Sequence, residues 1–426
     1  MEYQFNAEFA LKCDAEDELK NFRAQFLFPQ HKGENAIYFT GNSLGLQAKN
    51  AREYISEELD DWATFGVEGH TESRRPWLKY HEFFTKPLAS IVGAKPSEVV
   101  AMNGLTTNLH LLMVSFFRPE GKRKKIVCEG KAFPSDQYAL RSQLRFHGLT
   151  EDDLIEIQPD PVTELITDDR VIETLEKHAD EIALVMLGGM NYYTGQFFDM
   201  ERITRKGKEI GAVVGWDLAH AAGNMPIKLH DWDVDFAAWC GYKYLNSGPG
   251  GVSGIFVHEK HHGQTEIPRF EGWWGHDKET RFKMPETFKP IPTAEAWQLS
   301  NAPVFAMVPL LASLELFEQA GMQRLREKSK KLTAYLQFVV EQVRESTGVE
   351  LKIITPKDQE RRGAQLSVIV PGVGRQVFDY LMENGVISDW REPDVIRMAP
   401  VPMYNNFEDI FRFGKIFEQG LKKFAK

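Results

Sequence analysis

Two residues with complementary chemistry stand 26 positions apart in this chain. Asp217 ends the run Val213-Val214-Gly215-Trp216-Asp217, and Lys243 lies in Trp239-Cys240-Gly241-Tyr242-Lys243-Tyr244. A buried carboxylate at a strand end favours a protonated, charged nitrogen beside it. Lysine is costly to bury unless it is paired or used, and a desolvated lysine becomes nucleophilic. The following Ser247-Gly248-Pro249-Gly250-Gly251 permits tight turning and close backbone approach. A carboxylate for a pyridinium nitrogen and a lysine for a Schiff base are two of the groups that pyridoxal phosphate asks of a protein. The third is an anion site for its phosphate.

Other residues have a chemical reading and a plainer one. Asn103-Gly104-Leu105-Thr106-Thr107-Asn108 joins a strand to a helix, where hydroxyls and free N–H groups make either an anion site or an ordinary cap. Phe133, in Phe133-Pro134-Ser135-Asp136, either stacks on a pyridine ring or belongs to the core beside a proline-initiated helix. His220 either meets the Asp217 carboxylate or the ring, or is a satisfied core histidine. Arg397, in the apolar Val395-Ile396-Arg397-Met398, needs an anion: the α-carboxylate of an amino acid, or an internal Asp or Glu. Gly41-Asn42-Ser43-Leu44-Gly45 matches the hydrolase nucleophile elbow, but too little chain precedes it for the sheet of that fold. His258, His261 and His262, near Glu259, read as part of a lysine-rich surface loop, and no metal site is expected.

These residues need a scaffold. Strand-like runs at Val99–Met102, Lys125–Glu129, Leu154–Ile157, Ile182–Leu187, Ala212–Asp217, Phe236–Trp239 and Gly254–His258 alternate with helix-like segments from residue 97 onward. The pattern predicts an α/β fold: a large domain with a mostly parallel seven-stranded sheet covered by helices. Ligands of such sheets sit beyond the carboxyl ends of the strands, where Asp217 and Thr106 lie. A helix is expected over Leu46–Ala63. After Pro303 come two long helices, short strands at Glu350–Ile354, Ala364–Val370 and Val395–Met398, and closing helices, which describe a smaller α+β C-terminal domain. The expected division is 1–65, a segment packing with the small domain; 66–303, the cofactor domain; and 304–426, the small domain.

Composition excludes several classes. The chain has 426 residues, 42% hydrophobic and 26% charged, with a formal net charge of −10. It can bury a large core, and its acidity argues against a nucleic-acid partner. Three cysteines without metal-like spacing fit a reducing compartment. The N-terminus has no signal-peptide pattern, and no apolar run is long enough to span a membrane. A cytoplasmic location is expected.

With these motifs in hand, the chain resembles the kynureninases, pyridoxal-phosphate enzymes of the aspartate-aminotransferase-like fold type I (PLP-dependent transferase-like). The resemblance rests on Tyr38-Phe39-Thr40-Gly41-Asn42-Ser43-Leu44-Gly45-Leu46, the Leu105-Thr106 and Phe133–Asp136 motifs, Trp216-Asp217-Leu218-Ala219-His220 and the Lys243 loop. Gly272-Trp273-Trp274-Gly275-His276, Ser300-Asn301 and Ile396-Arg397-Met398-Ala399-Pro400 add to it. It implies that Lys243 binds pyridoxal 5'-phosphate covalently and that Tyr242 is the acid/base of the hydrolytic half. Asp217 and His220 would hold the pyridine side and Phe133 would stack on it. Leu105 and Thr106 would contact the phosphate, with Ser135, Asp136 and Tyr242 nearby. Trp273 and Asn301 would reach the cofactor from the partner subunit of a homodimer. Ser43, His70, His276, Ser300, Asn301 and Arg397 would bind substrate. The implied reaction is hydrolytic cleavage of L-kynurenine, and of 3-hydroxy-L-kynurenine, in tryptophan catabolism or NAD biosynthesis. Gly188 stands where some animal members carry a serine contact, and it has no side chain to replace it.

Overall fold

The computed structural model describes residues 2–425. Its centre is a seven-stranded sheet in the order Val99–Ala101, Gly254–Val257, Phe236–Trp239, Val213–Asp217, Ile182–Gly188, Lys125–Glu129, Leu154–Ile157. Only Gly254–Val257 runs against its neighbours; every other pairing is parallel. All seven strands fall where the apolar runs place them. The reason is visible in how they are buried. Alternate residues of one strand enter different cores: Ala237 and Trp239 pack on one face, Phe236 and Ala238 on the other. A strand buried on both faces has no polar face, so it reads as a continuous apolar run.

Helices Leu105–Phe116, Pro134–Phe146, Asp168–Lys177 and Met200–Glu209 follow four of the strands. Each connection starts at a strand's carboxyl end, which brings the connecting loops to one edge of the sheet.

A four-stranded antiparallel sheet forms the second layer: Lys352–Ile353, Leu366–Ile369, Val395–Met398 and Asp389–Arg391. Helices Met322–Thr347, Gly374–Glu383 and Phe407–Phe424 cover it, with Leu336, Val340, Ile396 and Phe413 in a core of its own. The helix Val304–Ala320 contributes Met307, Leu310, Leu314 and Phe317 to the core of the large sheet. We therefore place the change of core between Leu325 and Leu332, inside the following helix; the sequence reading put it near residue 304.

The N-terminal segment serves both units. Ala10, Cys13, Ile37 and Phe39 enter the small core, while Leu19, Phe26, Tyr38 and Leu46 enter the large one. The helix expected from Leu46 starts at Ala51, because Gln47–Ala48 pairs instead with Phe26–Leu27 as a short antiparallel ribbon. No single helix among the described residues is long and apolar enough to cross a membrane.

Candidate active site

Five strands deliver their carboxyl ends to one cavity of about 350 Å³. Val99–Ala101 leads to Gly104–Thr107, Lys125–Glu129 to Glu129, Phe133, Ser135 and Asp136, and Ile182–Gly188 to Gly188 and Tyr192. Val213–Asp217 brings Asp217 and His220, and Phe236–Trp239 brings Cys240, Tyr242 and Lys243.

At one end the chain turns through Asn103, whose φ of 47° is left-handed, into the helix Leu105–Phe116. Its cap position is Gly104, and no side chain caps the first turn. The first-turn N–H groups and the Thr106 hydroxyl therefore border the cavity without an internal acceptor, the arrangement that binds a phosphate.

At the other end Asp217 accepts a hydrogen bond from the Ala219 N–H at 2.6 Å. Asp136, placed with the phosphate contacts by the resemblance, lines the same cavity and lies close to Asp217. Burial raises the pKa of both carboxyls, and the Asp217 charge raises that of Asp136 further. Two neighbouring buried carboxyls suit a cationic ring nitrogen, with Asp217 as the anion.

Lys243 is buried, with Nζ 3.0 Å from His220 Nε2. Burial and the neighbouring lysine push the His220 imidazole well below its usual range, so the ring is neutral and accepts the bond. Its Nδ1 is buried without a partner. Phe133 is 39% exposed, and its ring centroid lies 5.7 Å from Lys243 Nζ. Phe133 is thus no core residue, and its open aromatic face could serve as a stacking surface. The lysine loop is packed so closely that a Cβ on Gly241 would sit 2.0 Å from the Val252 carbonyl oxygen. The residues present thus fit pyridoxal phosphate: an uncapped helix start, an aromatic face, a carboxylate and an orphaned imidazole nitrogen around one lysine.

Leu105, Thr106, Phe133, Ser135, Asp136, Asp217, His220, Tyr242 and Lys243 come together as the sequence suggests. Seven others do not line this cavity within one chain. Arg397 is fully buried, but its fork is not free: Nη2 pairs with Asp389 and Nη1 donates to the Tyr192 carbonyl at 2.6 Å. This is the internal ion pair that the sequence left open as the alternative. Ser43 donates to the same Asp389 carboxylate. The elbow-like glycines beside it are packing glycines: a Cβ on Gly45 would lie 2.4 Å from the Lys243 carbonyl oxygen. His70 packs edge-on against Trp77. His276 is held between Thr280 and the Lys289 N–H. Trp273 is 49% exposed, and Ser300 and Asn301 are exposed on the same excursion of the chain.

The histidine loop also differs from its expectation. His258 is buried, stacks on His230 and lies near the buried Glu98 carboxylate, while His261 binds Asp235. These imidazoles satisfy buried carboxylates. Sequence reasoning missed Glu129, Tyr192 and Asp389. Glu129 carried a signal, since it ends its strand just as Asp217 does.

Comparison with known proteins decides the family. A kynureninase from Flavobacterium psychrophilum is 55% identical over 422 residues, covering 99% of each chain. A Myxococcus xanthus kynureninase is 52% identical over 98% of this chain and 97% of its own. The chain belongs to the kynureninase family. The family model of the kynureninase C-terminal domain also matches residues 325–417. As a family member the chain is a pyridoxal-phosphate-dependent enzyme.

Solved structures add the fold. A cysteine desulfurase from Thermococcus onnurineus superposes with a TM-score of 0.75 at 20% identity, covering 91% of this chain and 95% of its own. One from Escherichia coli gives 0.75 at 16%, covering 96% and 99%. Likeness at that identity concerns architecture alone. All three cysteines here are buried, and burial pushes the Cys240 thiol up to about 11, so none is an accessible nucleophile of the desulfurase kind.

Proposed function

We propose that this chain hydrolyses the Cβ–Cγ bond of L-kynurenine to give anthranilate and L-alanine. We extend this to 3-hydroxy-L-kynurenine, giving 3-hydroxyanthranilate, in cytoplasmic tryptophan catabolism or NAD biosynthesis. The observation that carries the reading is identity of 50–55% to kynureninases over nearly the whole chain, with Lys243, Asp217 and Tyr242 on one cavity.

When bound, pyridoxal phosphate supplies an electron sink for the charge left at the substrate's Cα. Lys243 Nζ is the group that holds its carbonyl carbon. When not engaged there, Nζ would be the base that removes the substrate's Cα proton. Asp217 would keep the ring nitrogen protonated, Phe133 would cover the ring, and the uncapped turn at Leu105 to Thr107 would hold the phosphate. Burial raises the pKa of the Tyr242 hydroxyl, which stays a phenol. It donates its proton to the γ-carbonyl oxygen as water adds there, and recovers one as the bond breaks. The Cβ–Cγ electron pair stays with Cβ, which takes up a proton and becomes the alanine methyl group. The hydrated acyl carbon leaves as the carboxyl of anthranilate.

Arg397 is the group we assign to the substrate carboxylate, which must displace Asp389 from Nη2. Trp273, His276, Ser300 and Asn301 we assign to the neighbouring cavity of a homodimer; their position away from the chain's own cavity supports this. His70, Ser300 and Asn301 then present polar groups to the aryl ring, which favours acceptance of a 3-hydroxyl. Incubation with L-kynurenine is expected to release anthranilate and alanine in equal amounts. Absence of either product overturns the reading. Comparing kcat/KM for the two substrates tests the finer claim, and a strong preference for plain kynurenine contradicts it.

A further inference from the structure

Glu129 lies in the cavity wall next to Asp217, yet none of the steps above uses it. Gly188 is paired in register with Asp217 on the neighbouring strand. A Cβ built on Gly188 would stand 2.9 Å from Glu129 Oε1, so the carboxyl fills the space that a side chain at 188 would need. The other oxygen accepts from Asn191 Nδ2 at 3.2 Å. Glu129 is 3% exposed.

The charges around it are mostly of its own sign. Asp217 and Asp136 line the same cavity, Tyr192 and Cys128 are its other titratable neighbours, and the cation of the cluster, Lys243, acts on the two aspartates. A buried carboxyl beside a second carboxylate, with one neutral hydrogen-bond donor of its own, retains its proton. Burial pushes Glu129 up to about 7; the Asp217 charge adds to this and the Asn191 hydrogen bond opposes it.

Building on the pyridoxal-phosphate reading, we infer that Glu129 is a positioning residue that acts through Asp217: it occupies the gap at Gly188 as a neutral acid and releases its proton when the cofactor's cationic ring binds. An ionised Glu129 strengthens the negative potential at Asp217 and so holds the protonated ring nitrogen more firmly. By linkage, cofactor affinity gains an additional rise with pH across the range in which Glu129 titrates.

The test is titration of the full chain with pyridoxal 5'-phosphate from about pH 6 to about pH 9, read by tryptophan fluorescence, for wild type and Glu129→Gln. The glutamine keeps the shape and the Asn191 contact but cannot ionise. Below neutrality the two proteins are expected to bind alike. At the alkaline end wild type is expected to bind about tenfold more tightly, the effect of one nearby charge. A merely structural role would weaken binding equally at every pH, so parallel or superimposed curves overturn the inference. If wild type binds no pyridoxal phosphate at any pH, the cofactor reading fails instead. Should Glu129→Gln not fold, Gly188→Ala serves in its place, since its Cβ crowds Oε1. It is expected to displace the same pH step, and a curve identical to wild type contradicts the role.

Discussion

Lys243 Nζ rests 3.0 Å from Nε2 of His220, a buried imidazole held neutral by its surroundings. The lysine is therefore aimed by an acceptor that adds no charge. His220→Phe removes the acceptor and leaves the amine without a buried partner. Cofactor affinity is expected to fall about tenfold, measured by equilibrium dialysis. Unchanged affinity would separate His220 from the positioning of Lys243.

In the proposed reaction Asp217 keeps a charge on the ring nitrogen. Asp217→Asn preserves the shape and loses that charge, and kcat is expected to drop about a hundredfold or more. Thermal melting should show the fold intact. A variant with wild-type kcat would remove Asp217 from the chemistry.

Arg397 is fully buried, with Asp389 on Nη2 and the Tyr192 carbonyl on Nη1. Arg397→Lys keeps the positive charge but loses the planar fork. KM is expected to rise about 10- to 100-fold, with a smaller change in kcat. Steady-state kinetics check this, and an unchanged KM would leave Arg397 as a purely internal ion pair.

One prediction concerns the scaffold. Asp235 is buried, and its Oδ2 accepts from the Val214 N–H at 2.8 Å, on the strand that ends in Asp217. Burial alone would raise its pKa, but the His261 hydrogen bond and the charges of Lys208 and Lys260 outweigh it and hold the carboxyl well below its usual range. A group depressed in the folded state stabilises it above the unfolded pKa of about 3.9, and that stability is lost as pH falls below it. Asp235→Asn is expected to cost about 1.5–3 kcal/mol near pH 7, because it removes the buried carboxylate that accepts from the part-exposed Lys208 and Lys260. The deficit should shrink at about pH 3. Denaturant melts at both pH values test this; an equal deficit at both contradicts the electrostatic origin.

The parts of the molecule that sequence revealed share one property: their function is written locally. Strands buried on both faces read as apolar runs, and Asp217 and Lys243 stand at the ends of such runs. Glu129 had the same signature, but a carboxylate without a nearby lysine reads as an ordinary strand terminus. Asp389 sits on a three-residue strand, Asp389–Arg391, too short to show a period, and its pairing with Arg397 is set by strand register. Asp136 lies in the first turn of its helix, where a capping role and an active-site role use the same residue. His70, Trp273 and Asn301 belong to segments whose side chains do not meet the Lys243 cavity in one chain. The roles proposed for them rest on resemblance alone.

In the proposed function Lys243 performs the chemistry on L-kynurenine. The direct measurement is anthranilate fluorescence with L-kynurenine and pyridoxal phosphate, run side by side for wild type and Lys243→Ala. Wild type is expected to turn over while the variant is slower by at least about a thousandfold. Equal turnover by the two proteins would contradict the account.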